Sequence, residues 1–322
     1  MSKELLMAPR SYYKPFSHPK AFEFYEMSEK MHWMPHEIPL HQDIYDWNHK
    51  LTKSEKQFLT QIFRLFTQSD CDVAGAYATK YLPFFPKPEI RMMLLSFAAR
   101  EAVHIHAYSH LIDTLGMPET TYKQFMDYQA MRDKHEFFES FMGTDSRQIA
   151  QQMVAFSAFT EGMQLFSSFI MLLNFTRFNK MNGMGQILSW SIRDESLHCE
   201  GMTWLFREFI KENRDIWDDD LKSQLYVIAE KMVDLEDKFI DLAYEMGGQE
   251  GLSIEEVKQY IRYIADRRLI GCGLKGIFKV KTNPLPWVEE ILGAPEHSNF
   301  FEGKATAYSK GSTTGSWSKV WN

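Results

Sequence analysis

Two Glu-x-x-His elements, Glu101-Ala-Val-His104 and Glu195-Ser-Leu-His198, are the residues of this chain best suited to chemistry. Residues three apart on a helix share a face, so each element presents a carboxylate and an imidazole to one point in space. Two such elements predict a site for two metal ions. A third match, Glu29 with His32, lies in the polar stretch EMSEKMHW, where a solvated helix face accounts for it. The other two have different surroundings. Glu101 follows MMLLSFAAR and Glu195 follows ILSWSIRD, and these apolar settings predict burial. An unpaired buried carboxylate is costly, so positive charge is expected beside both.

Dimetal-carboxylate bundles of the ferritin-like kind use one acid from each of two helices and a Glu-x-x-His from each of two others. Candidates for the two remaining acids are present. Glu161 sits in the middle of AFSAFTEGMQLF, where a lone acid has no other obvious reason to be, and Asp70 lies in RLFTQSDCDV, with Asp72 as its competitor. Asp70, Glu101, Glu161 and Glu195 carry four negative charges, and two divalent cations balance them. Ligands of oxygen and nitrogen without thiolate suit iron or manganese better than copper(I) or a zinc-thiolate centre. The bland alternative pairs these acids with Arg100, Arg193 or lysines, and leaves the two histidines unexplained.

The elements that must position these residues read as helices, and strand signals are scarce. Thr52-x-x-Glu55 is a capping box opening a segment to about residue 81, where Pro83, Pro86 and Pro88 break it. The next helix runs from about 88 to 115 and stops at Gly116, and a shorter helical region covers about 122 to 140. Asp145 caps a long apolar stretch with Met153, Phe156, Phe159, Met163, Phe166 and Ile170 at helical spacing, which reads as core. Gly183 and Gly185 precede a helix to about 213, another spans about 219 to 246, and Ser253-x-x-Glu256 caps one more ending near Gly271. Several of these helices approach ~30 residues, or ~45 Å, a length that favours an all-α bundle. After KTNPLPW the pattern gives way to KATAYSKGSTTGSWSKVWN, a polar tail without periodicity, which predicts a domain over 1–298 and a flexible tail over 299–322.

Composition narrows the function. The chain has 322 residues, is 44% hydrophobic and 15% aromatic, and carries a net charge of −7, which argues against a general nucleic-acid binder. The longest apolar run, FSSFIMLLNF, is shorter than the roughly 18 residues of a membrane span, and MSKELLMAPRSYYKP has no apolar signal core, so a cytoplasmic protein is expected. Cys71, Cys199 and Cys272 form no CxxC pair, which supports neither a disulfide framework nor a zinc ribbon; burial as small hydrophobes is the default.

At these residues the chain resembles the small, radical-generating subunit of class I ribonucleotide reductase, from HWMPHEI near residue 33 to the tail. The intervals from Asp70 to Glu101 (101 − 70 = 31) and from Glu161 to Glu195 (195 − 161 = 34) are the family's own, and the match selects Asp70 over Asp72. The resemblance implies two iron, two manganese or one of each, held by Asp70, Glu101, His104, Glu161, Glu195 and His198. It also implies a radical tyrosine at Tyr108, and a path through Trp33, Asp194 and the tail residue Tyr308 to a large subunit. Trp317, Val320 and Trp321 then anchor the tail on that subunit, since aromatic anchors are typical binding hot spots. A homodimer is implied as well, and an activating flavoprotein is a further candidate partner. Ser191 stands where the family often has an apolar residue near the tyrosine, and Leu165 where phenylalanine is common. FTQSD and SLHCEG are closer to branches that use dimanganese or keep the oxidant on the metals. Two alternatives share the ligands: a dimetal oxidase or desaturase of an apolar substrate, and a metal-storage bundle.

Overall fold

The computed structural model describes residues 4–245 and 247–292. No strand occurs among them, only an isolated bridge between Gln249 and Leu252. In chain order the helices are α1 (Pro19–Lys30), α2 (His41–Tyr45), α3 (Lys53–Ala76), α4 (Pro88–Thr114), α5 (Thr120–Lys123) and α6 (Gln129–Glu139). There follow α7 (Ser146–Met153), α8 (Leu165–Leu173), α9 (Asn182–Glu212), α10 (Asp219–Tyr244), α11 (Ile254–Gly271) and α12 (Pro286–Leu292). The chain divides into two compact units, residues 1–284 and the segment from 285 onward, of which α12 is the described part. The expected tail boundary at 298, with Tyr308, Trp317, Val320 and Trp321, lies outside the described residues.

The caps read from sequence form. Thr52 accepts from the amide of Glu55 at 3.2 Å, Asp145 from that of Gln148 at 2.9 Å and Ser253 from that of Glu256 at 3.3 Å. Each satisfies an amide that the first helical turn leaves without a partner. The six apolar residues from Met153 to Ile170 are all buried. The segment from Ser146 to Phe178 is long and apolar enough by composition to cross a membrane, but its most apolar window is wholly buried in the protein, as in a core helix.

Two local features depart from the sequence reading. Between α7 and α8 the backbone widens into a π-helix over Val154–Gln164, with the Thr160 hydroxyl donating to the carbonyl of Ala155, five residues back. Such widening shifts the side-chain register and recurs at functional sites; Glu161 lies within it. Gly183 and Gly185 fall inside the first turn of α9 rather than before it. The carboxylate of Asp43, from α2, accepts from the amides of Gly183 at 2.9 Å and Met184 at 2.8 Å, and Asp46 accepts from Met181 at 2.9 Å. A Cβ on Gly183 would lie 2.6 Å from the Asp43 carboxylate, so glycine permits this cap. It anchors the 31-residue helix that carries Glu195 and His198.

α3 packs on α4, α4 on α9, α9 on the π-helix, and the π-helix on α3. α1 covers α4 and α9, while α10 and α11 pack against the outer side of the π-helix. The four inner elements enclose the candidate site.

Candidate metal centre

Each inner element contributes to one buried cluster: Asp70 from α3, Glu101 and His104 from α4, Glu161 from the π-helix, and Glu195 and His198 from α9. All six have 1% exposure or less. Their donor atoms form two groups, each within 4.8 Å: Asp70, Glu101 and His104 in one, and Glu101, Glu161, Glu195 and His198 in the other.

The two central glutamates face both imidazoles. Glu101 places Oε2 3.4 Å from Nδ1 of His104 and Oε1 2.8 Å from Nδ1 of His198. Glu195 places Oε1 3.1 Å from His104 Nδ1 and Oε2 3.5 Å from His198 Nδ1. Asp70 approaches only His104, at 4.0 Å, and Glu161 only His198, at 3.4 Å. The arrangement has two central carboxylates and one flanking acid and one imidazole at each end.

Four acids share this dry space. Burial, reinforced by the charge of Glu101, raises the pKa of Asp70 well above the carboxylate range, and burial pushes Glu161 up to about 7 against the pull of His198. For both histidines burial disfavours the charged form, yet the surrounding carboxylates outweigh it and raise their pKa values well above the usual range. The cluster therefore demands positive charge. Both oxygens of Asp70, Glu101 and Glu195, Oε2 of Glu161 and Nδ1 of both histidines lack an aligned hydrogen bond. Buried polar atoms left this way are costly unless a cation binds them. Donor type, charge and convergence thus fit two divalent ions.

The supporting groups are equally defined. Nε2 of His104 lies 3.2 Å from Oδ2 of Asp194, which also accepts from the Trp33 indole N–H at 2.8 Å. A proton held on Nε2 by Asp194 leaves Nδ1 as the ligating nitrogen, a common device at metal sites. Trp33 stacks on His104 with ring centroids 6.0 Å apart. Tyr108 is buried with its ring 6.4 Å from His104 and 4.2 Å from Phe66. Its hydroxyl makes no hydrogen bond to Asp70. Ser191 brings its own hydroxyl to this phenol without a well-aligned bond. Burial, then the charge of Asp70, push the phenol well above its ordinary pKa.

Asp72 is excluded from the cluster, being held by Gln68 at 2.7 Å and His135 at 2.7 Å. Glu29 and His32 are exposed, and Glu29 accepts from Ser96. Among the cysteines, Cys199 and Cys272 are buried as expected but Cys71 is exposed, because it points away from the side of α3 that carries Asp70. Sequence reasoning missed Tyr77, whose hydroxyl donates to Oε1 of Glu161 at 2.8 Å. Its place seven residues after Asp70, two helical turns along one face, was the available signal. It also missed Trp190, which packs on Trp33.

The model of the family described as "Ribonucleotide reductase, small chain" matches residues 10–284. The chain belongs to the ribonucleotide reductase small-chain family. It is similar to the "probable ribonucleoside-diphosphate reductase small subunit 376L" of Invertebrate iridescent virus 6, with 46% identity over 98% of this chain and 99% of the relative. It is 29% identical to the ribonucleoside-diphosphate reductase subunit beta of Chlamydia pneumoniae, over 91% of this chain and 88% of the relative. The fold matches the ribonucleotide reductase R2 subunit from Clostridium botulinum at a TM-score of 0.82 and 20% identity, covering 90% of this chain and 94% of that one. It also matches the dimanganese(II) NrdF of Streptococcus sanguinis at a TM-score of 0.72 and 19% identity, covering 88% and 98%. The chain is thus an all-α, ferritin-like bundle and a subunit of an oxidoreductase.

Proposed function

We propose that Asp70, Glu101, His104, Glu161, Glu195 and His198 hold two ions of iron or manganese, or one of each, and that this subunit stores a one-electron oxidant for a separate large subunit. The single observation carrying this reading is that Glu101 and Glu195 each face both histidines, with one acid flanking each end. The metals, when bound and oxidised by an oxygen species, supply the redox chemistry. The protein supplies a buried cage, a fixed His104 tautomer through Asp194, and an aromatic contact from His104 to Trp33. In this reading Trp33, Asp194 and the tail residue Tyr308 pass the oxidising equivalent onward, and Trp317 and Trp321 anchor the tail on the large subunit. The protein acts in the cytoplasm as a homodimer, with a flavoprotein as candidate activator. Ribonucleotide reduction takes place on the partner, so this subunit alone turns over no nucleotide.

One observation favours keeping the oxidant on the metals rather than on Tyr108. The Ser191 hydroxyl at the phenol makes that pocket polar, and a phenoxyl radical, which returns to phenol by taking up one electron and one proton, is less protected from reduction there than in an apolar pocket. The test is to load the protein separately with iron(II) and manganese(II), expose each to oxygen and to superoxide, and record metal content with low-temperature electron paramagnetic resonance. A broad multiline manganese signal surviving Tyr108→Phe is the expected result. A narrow organic signal lost in that variant moves the stored oxidant to Tyr108. Absence of any oxidised state under all four conditions refutes the oxidant-storing role and leaves a metal-storage bundle.

A further inference from the structure

Of the four acids in the cluster, Glu161 alone has an oxygen fixed by an aligned hydrogen bond. Its Oε1 accepts from the Tyr77 hydroxyl at 2.8 Å, while its Oε2 and both oxygens of Asp70, the flanking acid at the other end, have no such donor among the described residues. Tyr77 opens a second π-helix, Tyr77–Tyr81, at the end of α3, and Glu161 lies in the π-helix over Val154–Gln164. The two widened segments are joined twice. Tyr77 reaches Glu161, and the Tyr81 hydroxyl lies 3.1 Å from that of Ser157, four residues further on in one segment and four residues earlier in the other. The Tyr77 ring is itself held in place. It is completely buried and meets Tyr81, Phe97 and His198 edge-on, with centroids 5.5, 6.2 and 6.2 Å away. A ring enclosed on these sides keeps its hydroxyl aimed at Glu161.

We propose that Tyr77 is a positioning residue that holds Glu161 as a one-oxygen ligand, with Oε2 given to the ion at the His198 end and Oε1 kept off it; this rests on the dimetal reading above. A carboxylate can give a metal ion one oxygen or two, and groups bonded to the carboxylate bias that choice. The Tyr77 bond favours the one-oxygen arrangement, because chelation or bridging through Oε1 would break it and leave a buried phenol without an acceptor. Asp70 has no such restraint, so the two ends of the cluster are unequal. The His104 end carries an acid free to use either oxygen or both, and the His198 end carries one that offers a single atom. The same bond keeps Glu161 from swinging between the two ions, so Glu101 and Glu195 remain the acids that face both histidines.

The experiment uses the full chain, loaded with manganese(II) alone. Wild type, Tyr77→Phe and Tyr81→Phe are compared by manganese titration, by low-temperature electron paramagnetic resonance of the dimanganese(II) form, and by the thermal midpoint of the metal-free protein. The two substitutions each remove one hydroxyl from the same pair of stacked rings, and only that of Tyr77 is bonded to a cluster acid. Tyr77→Phe is expected to weaken one of the two ions by about 10–100-fold, to leave the other unchanged, and to alter the resonance spectrum as Glu161 changes its binding mode. Tyr81→Phe is expected to keep wild-type affinities and spectrum. Wild-type affinities and spectrum in Tyr77→Phe overturn the proposal while leaving the dimetal site intact. Equal weakening in both variants, with lowered thermal midpoints, assigns the ring pair a packing role and also overturns it. Fewer than two manganese ions bound by wild type overturns the dimetal reading and this positioning role with it. The crystal structure of the manganese-loaded wild type is the check that needs no variant: Glu161 bound through Oε2 with Tyr77 still on Oε1 supports the proposal, and both Glu161 oxygens on manganese refute it.

Discussion

Central and flanking ligands should fail differently when neutralised, and the geometry says how. Asp70 approaches only His104, whereas the two oxygens of Glu195 lie 3.1 Å from His104 Nδ1 and 3.5 Å from His198 Nδ1. Asp70→Asn and Glu195→Gln keep side-chain volume and remove one charge each. Removing one partner from a buried charged contact costs about 3–5 kcal/mol, which is a loss of roughly 10²- to 4 × 10³-fold in affinity at about 1.4 kcal/mol per factor of ten. In Asp70→Asn that loss falls on one metal position, because Glu101, Glu161, Glu195 and His198 still form a complete group within 4.8 Å. In Glu195→Gln it falls on both. Manganese(II) titration of the metal-free protein, with free ion read by magnetic resonance and bound ion by elemental analysis, should give two ions for wild type. One tight ion is expected for Asp70→Asn and none for Glu195→Gln. Asp72→Asn is the control and should retain two, because Asp72 is engaged by Gln68 and His135. Loss of both ions in Asp70→Asn, or retention of one tight ion in Glu195→Gln, would refute the assignment of central and flanking roles.

Two further predictions concern the scaffold. Asp43→Ala leaves the buried amides of Gly183 and Met184 without their acceptor and should destabilise the metal-free protein by about 2–4 kcal/mol in urea unfolding; a change below about 0.5 kcal/mol, the range of ordinary surface substitutions, would show that the α9 cap carries no such weight. Gly162→Ala, next to Glu161, puts a Cβ 2.8 Å from both Arg268 Nε and Cys199 Sγ; overpacking of this kind should cost about 1–3 kcal/mol in thermal or chemical unfolding, and an unchanged stability would mean that Arg268 moves aside freely.

Much of the site was legible because helical periodicity is a local property. Glu101 with His104, and Glu195 with His198, lie three residues apart, so sequence alone placed each pair on one face. The acid Glu161 stood out against its apolar neighbours, and the caps at Thr52, Asp145 and Ser253 fixed where helices begin. The choice of Asp70 over Asp72 came only from the family's spacing, because the bare pattern offered both. The structure adds the physical reason, which is that Asp72 faces His135 on the other side of α3.

The sequence by itself determined the residue types, the long helices between residues 52 and 271, the two Glu-x-x-His pairs and the lone acid Glu161, since charge, periodicity and capping are written in neighbouring residues. Only the tertiary structure decided which carboxylates stand between the histidines, because that depends on how α4 and α9 approach each other. It alone brought Trp33 to Asp194 across 161 residues and Tyr77 to Glu161 across 84. It also opened the π-helix around Glu161 and set Trp190 against Trp33. These contacts join elements remote in the chain, and no local pattern specifies them; they follow from packing four helices around one buried cluster of charge.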